Sequence, residues 1–176
     1  KRRDLYLDKA QRTALLAACE GPVRELVEAA MLTGCRAGEL TSATRASFDA
    51  RTATLMVTGK TGTRQVPLSP KAKALFVRLA KGKLPAAYLL TKDGGSRWQH
   101  SDWDELVRAA GEKAKLPAGV CLYTLRHSWI TAALMGGMST LEVSKIAGTG
   151  LAMIEKHYGH LVNDVARARL AKVDFV

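Results

Sequence analysis

The chain has 176 residues, 47% of them hydrophobic and only 5 of them proline, a composition typical of a folded domain with a substantial core and not of a disordered chain. No apolar run approaches the roughly 20 residues of a membrane-spanning helix, and the first residues lack the features of a secretory signal. The three cysteines are widely spaced and match no metal site or disulfide framework, which favours a reduced intracellular protein. The net charge of +11 is dispersed along the chain and favours a polyanionic partner, most often nucleic acid, with a merely soluble basic protein as the alternative.

The first half of the chain is predicted to form helices followed by a β-hairpin. Apolar residues recur at helical spacing from Leu7 onward, Asp8 is placed to cap that helix, and Gly21-Pro22 marks the start of the next one. The predicted elements are helices over residues 7–19, 21–35 and 35–44 and strands over residues 52–59 and 64–69. The stretch "GKTGT" between the two strands is a turn signal, so the strands should pair as a hairpin.

The second half of the chain is predicted to be helical. Pro70 suits a first helical turn, Ser101 is placed to cap a later helix, and Gly136-Gly137 ends a strongly apolar one. Helices are predicted over residues 69–82, 101–116, 123–138, 139–148, 151–159 and 163–173, the last three of them short. With no repeat and no linker, residues 1–176 are expected to form one domain, mainly α with a small antiparallel β-sheet edge (α+β).

A few side chains lie where packing alone gives weak reasons for them. Without a Walker-type loop, an HExxH motif or a spaced carboxylate cluster, metal-dependent phosphoryl chemistry is poorly supported. Arg36 precedes Glu39 by three residues, so the two can pair on one helix face, although surface ion pairs are common and weak. Arg126 lies beside an apolar stripe and should extend to solvent or meet a buried anion. Local sequence alone makes Lys60 a solvated turn residue and Tyr158 a core aromatic.

Four segments resemble the sequence boxes of the tyrosine recombinases, the phage integrase family. "TGCRAGEL" is similar to the first arginine box, T-G-x-R-x-x-E-L, and "VTGKTGTRQVPLS" is similar to the hairpin that carries the family's lysine. "YTLRHSWIT" resembles the second arginine box, H-x-L-R-H. "IAGTGLAMIEKHYGHL" resembles the final box, whose tyrosine follows a histidine by nine residues, as position 158 follows position 149. The boxes occur in the family's order, from about Thr33 to Leu161.

The resemblance implies a role for each matching residue. Arg36 and Arg126 would clamp the scissile phosphate, to which guanidinium groups are well suited. Tyr158 would attack the phosphorus and form a 3′-phosphotyrosyl bond, while Lys60 would protonate the leaving 5′ oxygen as general acid. Glu39 would support the first arginine box. The residues expected to contact DNA are Arg36, Lys60, Arg64 and Arg126.

Two positions depart from the family pattern. Tyr123 stands at the first histidine of H-x-x-R, and Thr149 stands at the histidine or tryptophan of the final box. Each can donate a hydrogen bond to a phosphate oxygen, but a tyrosine with an ordinary pKa of about 10 is a poor base near neutral pH and a threonine is none. Nearby histidines can compensate: His127 and His160 are expected to be supporting residues, and His157 lies close to them in sequence. Activity is therefore expected, at a reduced rate.

The resemblance also implies partners. The substrate would be duplex DNA at the attachment sites of a phage or mobile element, bound by four copies of the protein with accessory DNA-bending proteins. No cofactor, metal or membrane is implied, and the protein would act in the bacterial cytoplasm at the nucleoid. The family carries a further helical DNA-binding domain before this one, which we expect to be absent here, so that DNA binding should be weak and strongly salt-dependent.

Three alternatives stay open at this point. The apolar residues Val165, Ala168 and Leu170 of the segment 163–176 would pack either on a neighbouring copy or on their own chain. The protein could be a decayed integrase that binds DNA without cutting it, since two assisting positions have changed. It could also resemble a type IB topoisomerase, which nicks DNA without exchanging strands.

Overall fold

The computed structural model of the protein describes residues 5–60 and 62–174, and these residues form mostly helices. The α-helices are α1 Lys9–Ala18, α2 Gly21–Thr33, α3 Ala37–Ser42, α4 Pro70–Ala80, α5 His100–Lys113, α6 Leu122–Met135, α7 Thr140–Ala147 and α8 Leu151–Leu170. Short 3-10 turns lie at Arg45–Ser47 and Asp93–Gly95. The predicted mainly α fold with a small antiparallel sheet is confirmed.

The sheet has three antiparallel strands in the order β1-β2-β3. The strands are β1 Phe48–Asp49, β2 Thr54–Gly59 and β3 Gly62–Pro67. The predicted hairpin is confirmed by the pairing of Leu55 with Val66 and of Gly59 with Gly62. Leu55, Val57 and Val66 are buried, while alternate residues face outward, as the period of two in the sequence requires. Sequence reasoning missed β1 because two residues are too short to show a period.

Helix ends follow the local chemistry of the sequence. Asp8 begins α1 with a capping box: its carboxylate accepts from the Gln11 amide at 2.8 Å, and the Gln11 side chain accepts from the Asp8 amide at 3.0 Å. Gly34 ends α2 in the left-handed region at φ 65°. A Cβ at Gly34 would lie 2.5 Å from the indole of Trp129, so glycine is also needed for the close contact between α2 and α6.

The core consists of two apolar clusters. The larger one extends over α1 to α6 and the sheet, and its fully buried side chains include Leu26, Leu55, Phe76 and Leu125. Burying a leucine or phenylalanine of this kind contributes about 1.5–3 kcal/mol. The smaller cluster joins α6, α7 and α8 through Ile130, Leu134, Val143, Ala147, Ile154 and Tyr158. Helix α6 belongs to both clusters, and this fixes the position of the polar side chains on its first two turns.

The predicted cap of α5 is wrong. The helix begins at His100, so Ser101 lies inside it. Gln99 is the capping position, and its backbone amide donates to the Asp102 carboxylate at 2.6 Å. An acidic side chain in the first turn also favours the helix dipole, which explains why Asp102 fixes the start of the helix.

The two short helices predicted over residues 151–159 and 163–173 are one helix, α8, with 20 residues. Gly159 favours a break by its local propensity, but a glycine inside a helix costs only about 1 kcal/mol relative to alanine and need not end it. Leu161 and Val162 continue the apolar contacts of α8 with the smaller cluster, so packing keeps the helix continuous. Within the described residues, no helix combines the length and the apolar character needed to cross a membrane.

Candidate active site

Glu39 is the centre of a buried ionic network. Its side chain is 2% exposed, and its carboxylate accepts hydrogen bonds from the Arg36 backbone amide at 2.8 Å and from Arg36 Nη1 at 3.0 Å. Arg64 donates to both carboxylate oxygens, with Nη1 at 2.7 Å and Nη2 at 2.8 Å. Burial alone would raise the pKa of Glu39, but the hydrogen bonds from Arg64 and Arg36 outweigh it and lower the pKa to about 2. Glu39 is therefore a permanent anion that orients both arginines.

The predicted pairing of Arg36 with Glu39 is present, but it does not arise from a shared helix face. Arg36 precedes α3 at the capping position, and Glu39 is the third residue of that helix. The Glu39 side chain reaches back to the Arg36 amide in the manner of a capping box. Arg36 Nη2 also donates to the Gly148 carbonyl at 2.7 Å, yet the side chain stays 40% exposed and can still receive a ligand.

Arg64 extends the network from β3 to the turn between α7 and α8. Its Nε donates to the Ile146 carbonyl at 2.8 Å, and the side chain is only 14% exposed. Two glycines make room for the network: a Cβ at Gly59 would lie 2.8 Å from Glu39 Oε1, and one at Gly148 would lie 2.6 Å from the Arg64 guanidinium. The Arg64 guanidinium is turned inward onto Glu39, so Arg64 positions other groups here, and its expected DNA contact stays a prediction.

Arg126 lies on the first turn and a half of α6 and is buried. The sequence predicted an extended side chain or a buried anionic partner. The side chain is buried, and the buried anion Glu39 interacts with it electrostatically, although the described residues give Arg126 no direct ion pair. Its Nη1 donates to the carbonyls of Gly34 at 2.8 Å and Ala147 at 2.6 Å. Burial, together with the positive charge of Arg36, lowers the pKa of Arg126 to about 10, so the group remains cationic near neutral pH. Two carbonyls thus orient an arginine whose charge is still available to an anion.

Tyr158 lies on α8 with its ring in the smaller apolar cluster. Its hydroxyl is 2.6 Å from Nδ1 of His127, a residue of α6, and the two ring centroids are 5.0 Å apart. Burial raises the pKa of the Tyr158 hydroxyl, the nearby Tyr123 hydroxyl raises it further, and Arg126 acts in the opposite direction. The tyrosine is therefore a neutral phenol in this state and needs a proton acceptor to become a nucleophile.

Tyr123 and Thr149, the two residues at which the sequence boxes depart from the expected pattern, both line the cavity that Arg126 and Tyr158 share. The Tyr123 ring packs edge-on against His127, with centroids 5.5 Å apart and planes at 81°. Thr149 lies in the turn between α7 and α8, where its backbone amide and carbonyl both bond Ser144. Sequence reasoning missed Ser144 as the residue that fixes this turn. The Gly148-Thr149-Gly150 stretch between two helical patterns was the available signal.

These side chains surround one cavity of about 660 Å³. The predicted site residues that line it are Arg36, Tyr123, Arg126, His127, Thr149 and Tyr158. His157 lines it as well, as do Cys121, Ile130 and Met153, which no local pattern in the sequence singles out. Two guanidinium groups, hydroxyl donors and a buried phenol at one opening can bind a phosphodiester and present a nucleophile to it.

Four predicted site residues lie outside the cavity lining: Glu39 and Arg64, which form the ionic network, and Lys60 and His160. Lys60 is exposed at the tip of the β2–β3 hairpin, just beyond the Thr58 and Thr63 hydroxyls, which are 2.9 Å apart. His160 is exposed on α8, two residues beyond Tyr158. Neither Lys60 nor His160 lines the cavity, so the catalytic role of Lys60 and the supporting role of His160 stay predictions.

The class of protein to which this fold and this cluster of arginines belong follows from a comparison with known families. The sequence profile of the phage integrase family matches residues 6–164. The chain belongs to the phage integrase family, as its four sequence boxes predicted.

Known proteins agree with this assignment. Tyrosine recombinase XerD of Bifidobacterium longum is 29% identical over 179 residues, covering 89% of this chain and 58% of that protein. The chain therefore spans a little over half the length of that relative. The Tn1549 transposon integrase, solved with circular intermediate DNA, superposes with a TM-score of 0.81 at 20% identity over 97% of this chain and 67% of that one. The catalytic domain of bacteriophage HP1 integrase gives 0.70 at 22% identity, covering 95% and 94%. At such identities the two structures show a shared fold.

Proposed function

We propose that this chain is the catalytic part of a site-specific recombinase that cuts and rejoins duplex DNA through a covalent bond between Tyr158 and a 3′ phosphate. The observation that carries the proposal is the convergence of Arg36, Arg126 and Tyr158 on one cavity from three separate segments of the chain. Nothing in the packing of a small domain requires two arginines to face a buried tyrosine hydroxyl. Cleavage of a phosphodiester explains the arrangement, because this reaction needs both stabilisation of negative charge and a nucleophile.

In this reaction the two arginines bind the nonbridging oxygens of the scissile phosphate. Guanidinium groups stay charged at any working pH and donate in a planar fork that fits phosphate. Arg36 is held by Glu39 and Gly148, and Arg126 by two carbonyls, so both are oriented before DNA arrives. Such preorganised charge is most useful where negative charge develops on the pentacoordinate phosphorus. Thr149 and Tyr123 add hydroxyl donors at the positions of the family's histidines.

Lys60 is proposed as the general acid that protonates the leaving 5′ oxygen. Its place at the tip of a two-stranded hairpin is exposed and allows the amine to enter a DNA groove. The phosphotyrosyl ester keeps the free energy of the broken phosphodiester, so the 5′ hydroxyl of a second strand can reverse the step. Strand exchange then needs no nucleotide cofactor.

The proposed substrate is duplex DNA at a pair of attachment sites of a phage or other mobile element. The net charge of +11 and the XerD and Tn1549 integrase relatives support a DNA substrate. Exchange between two duplexes requires four cleavages, so we propose a tetramer of recombinases, with accessory proteins bending the DNA. The protein would act in the bacterial cytoplasm, at the nucleoid. The last turns of α8 are exposed and would be available to a neighbouring copy.

The experiment is covalent capture on nicked suicide duplexes. A library of nicked duplexes with randomised arms is mixed with the chain at low ionic strength in EDTA, where electrostatic DNA binding is strongest. When the chain cleaves next to the nick, the short fragment that carries the 5′ hydroxyl diffuses away. Without this fragment the strand cannot be rejoined, so the covalent adduct accumulates. Adducts are isolated on a denaturing gel and their DNA is sequenced, which identifies the preferred site. Tyr158→Phe serves as the matched variant, because it keeps the ring in the apolar cluster.

An adduct that forms with the wild type and is absent from Tyr158→Phe establishes the nucleophile and the reaction class. DNA that is bound in a native gel but never captured would instead identify the non-cleaving DNA-binding module. Capture on single duplexes followed by relaxation of supercoiled plasmid, without exchange between two sites, would identify a topoisomerase-like relaxase.

A further inference from the structure

We infer that His127 is the proton acceptor for Tyr158, and so is itself a catalytic residue in place of the histidine that Tyr123 has replaced. The inference rests on the proposed function, in which Tyr158 attacks phosphorus. It starts from one contact: Nδ1 of His127 and the Tyr158 hydroxyl oxygen are 2.6 Å apart. A proton acceptor must lie within about 2.6–3.2 Å of the group it deprotonates, and this contact meets that condition.

The contact is held by the fold and does not depend on a mobile side chain. His127 lies on the second turn of α6 and is buried, and Tyr158 lies on α8 and is buried. The helices pack together through Ile130 and Ile154 in the smaller apolar cluster. Tyr123 covers the outer side of the imidazole with an edge-on contact. The phenol and the imidazole therefore meet in the same geometry before any DNA binds.

The other candidates for the proton are less suitable. Tyr123 is 53% exposed, and a neutral phenol is a very weak proton acceptor, so it is a poor general base. Thr149 has no basic form in this range. An imidazole ordinarily titrates near pH 6.5, which suits proton transfer at neutral pH. Of these three groups, His127 is also the one that is hydrogen-bonded to the nucleophile.

The cleavage step moves one proton from Tyr158 to His127 and a second proton from the general acid to the leaving oxygen. His127 begins as the neutral tautomer with its proton on Nε2, which leaves the Nδ1 lone pair to accept from Tyr158. The phenolic O–H bond breaks as the Tyr158 oxygen bonds to phosphorus, and the proton moves to Nδ1. The bond between phosphorus and the 5′ oxygen breaks, and that oxygen takes a proton from the general acid, proposed to be Lys60. In the rejoining step the imidazolium returns its proton to the departing Tyr158 oxygen.

The surrounding charges are consistent with this transfer once DNA is bound. The titratable and charged groups that line the cavity with His127 are Arg36, Cys121, Tyr123, Arg126, His157 and Tyr158. The two arginines oppose an imidazolium and stabilise a phenolate. A bound phosphodiester adds a negative charge that offsets the arginines and so stabilises the imidazolium, while the negative charge on the Tyr158 oxygen is removed as that oxygen bonds to phosphorus.

The test compares His127→Asn with the wild type in single-turnover adduct formation, from about pH 5 to pH 8. An asparagine amide places a hydrogen-bonding group near the former Nδ1 position but does not titrate. His127→Gln is a second non-titrating variant, and both are scored only where DNA affinity and far-UV circular dichroism match the wild type. Each assay is repeated on a duplex whose scissile 5′ bridging oxygen is sulfur, because a thiolate leaves without a proton donor.

We expect His127→Asn to form the adduct about 10²–10⁴-fold more slowly than the wild type, to lose the acid-side decline of the pH profile and to remain slow on the sulfur substrate. Adduct formation within threefold of the wild type, with the same pH profile, would reduce His127 to a structural partner and overturn the inference. A wild-type rate of His127→Asn on the sulfur substrate would also overturn the inference, because it would show that His127 protonates the leaving oxygen and does not deprotonate Tyr158. If neither variant folds, a wild-type rate without any pH dependence in this range also overturns it. A wild type that forms no adduct contradicts the proposed function itself.

Discussion

Arg64 and Glu39 form a two-point ion pair, Nη1 to Oε1 at 2.7 Å and Nη2 to Oε2 at 2.8 Å, that joins β3 to α3 beneath the candidate active site. Arg36 shares one of these carboxylate oxygens, so the orientation of a proposed phosphate ligand depends on a residue 28 positions later in the sequence. The same Arg64 holds the Ile146 carbonyl and hence the turn that carries Thr149. A hairpin residue therefore connects both sides of the cavity.

Arg64→Ala should destabilise the protein by about 3 kcal/mol, because removing one partner of a buried pair leaves Glu39 charged in a dry site. Arg64→Lys should lose about 2 kcal/mol, since lysine keeps the charge but cannot make the two-point contact and the bond to Ile146 together. Urea denaturation measures both. The exposed Arg51, whose Nε is 3.8 Å from Asp49, is the matched control, and Arg51→Lys should leave the midpoint unchanged. A urea midpoint of Arg64→Lys equal to that of the wild type would show that the second hydrogen bond from Arg64 to Glu39 does not contribute to stability.

Glu39 should make stability depend on pH in the acid range. Its folded pKa of about 2 lies below the ordinary value of 4.5, so its contribution is present above pH 4.5 and is lost as the pH falls toward 2. This lowering of the Glu39 pKa corresponds to a contribution of about 3 kcal/mol to the free energy of unfolding. We expect Glu39→Gln to be less stable than the wild type at pH 7 by this order, with the gap narrowing between pH 4.5 and pH 3. Urea midpoints at pH 7, 5 and 3 measure the gap, and a constant gap would contradict the shift.

The sequence predicted the members of the site better than their contacts. The boxes around Arg36, Arg126 and Tyr158 could be recognised because each has fixed local spacing. The contact of His127 with Tyr158 spans 31 residues, and that of Arg64 with Glu39 spans 25. Such contacts depend on how α6 packs on α8 and how β3 packs on α3, which spacing along the chain does not encode. For this reason the sequence alone predicts a DNA contact for Arg64 and misses its inward orientation.

The ends of the helices likewise depend partly on local sequence, which can be predicted, and partly on tertiary packing, which cannot. Capping at Asp8 and at the αL residue Gly34 is local chemistry. The sequence predicted the first, whereas the helix predicted over residues 21–35 ran past the second. Gly159 carries an equally local signal, but contacts of the following residues with α6 and α7 decide the outcome there, and the helix continues. Tertiary packing overrides a propensity of about 1 kcal/mol.

Gly148→Ala should disrupt the site from the backbone. Gly148 has φ 64°, and an added Cβ would lie 2.6 Å from the Arg64 guanidinium, so the turn or the ion pair must shift. We expect a loss of about 2 kcal/mol in unfolding free energy, from the strained backbone and the weakened pair together. Gly38→Ala is the control, because a Cβ added to this residue of α3 would meet none of the described atoms within 4 Å, and the change should be neutral or slightly stabilising. Equal unfolding free energies of the two variants would contradict this prediction, because the turn would then accommodate the added Cβ without a loss of stability.

Lys60→Ala should slow cleavage by about 10²–10⁴-fold on an ordinary duplex, because the leaving 5′ oxygen then departs without a proton donor. On a duplex with sulfur at that bridging position the same variant should approach the wild-type rate, since sulfur leaves as a stable thiolate. Lys81→Ala, which removes another exposed lysine at the end of α4, controls for the loss of one positive charge and should cleave both substrates normally. DNA affinity is measured alongside at one fixed salt concentration. A Lys60→Ala rate that stays low on the sulfur substrate would move Lys60 from the proton transfer to DNA binding, and it would leave the general acid to be sought among the other residues near the hairpin.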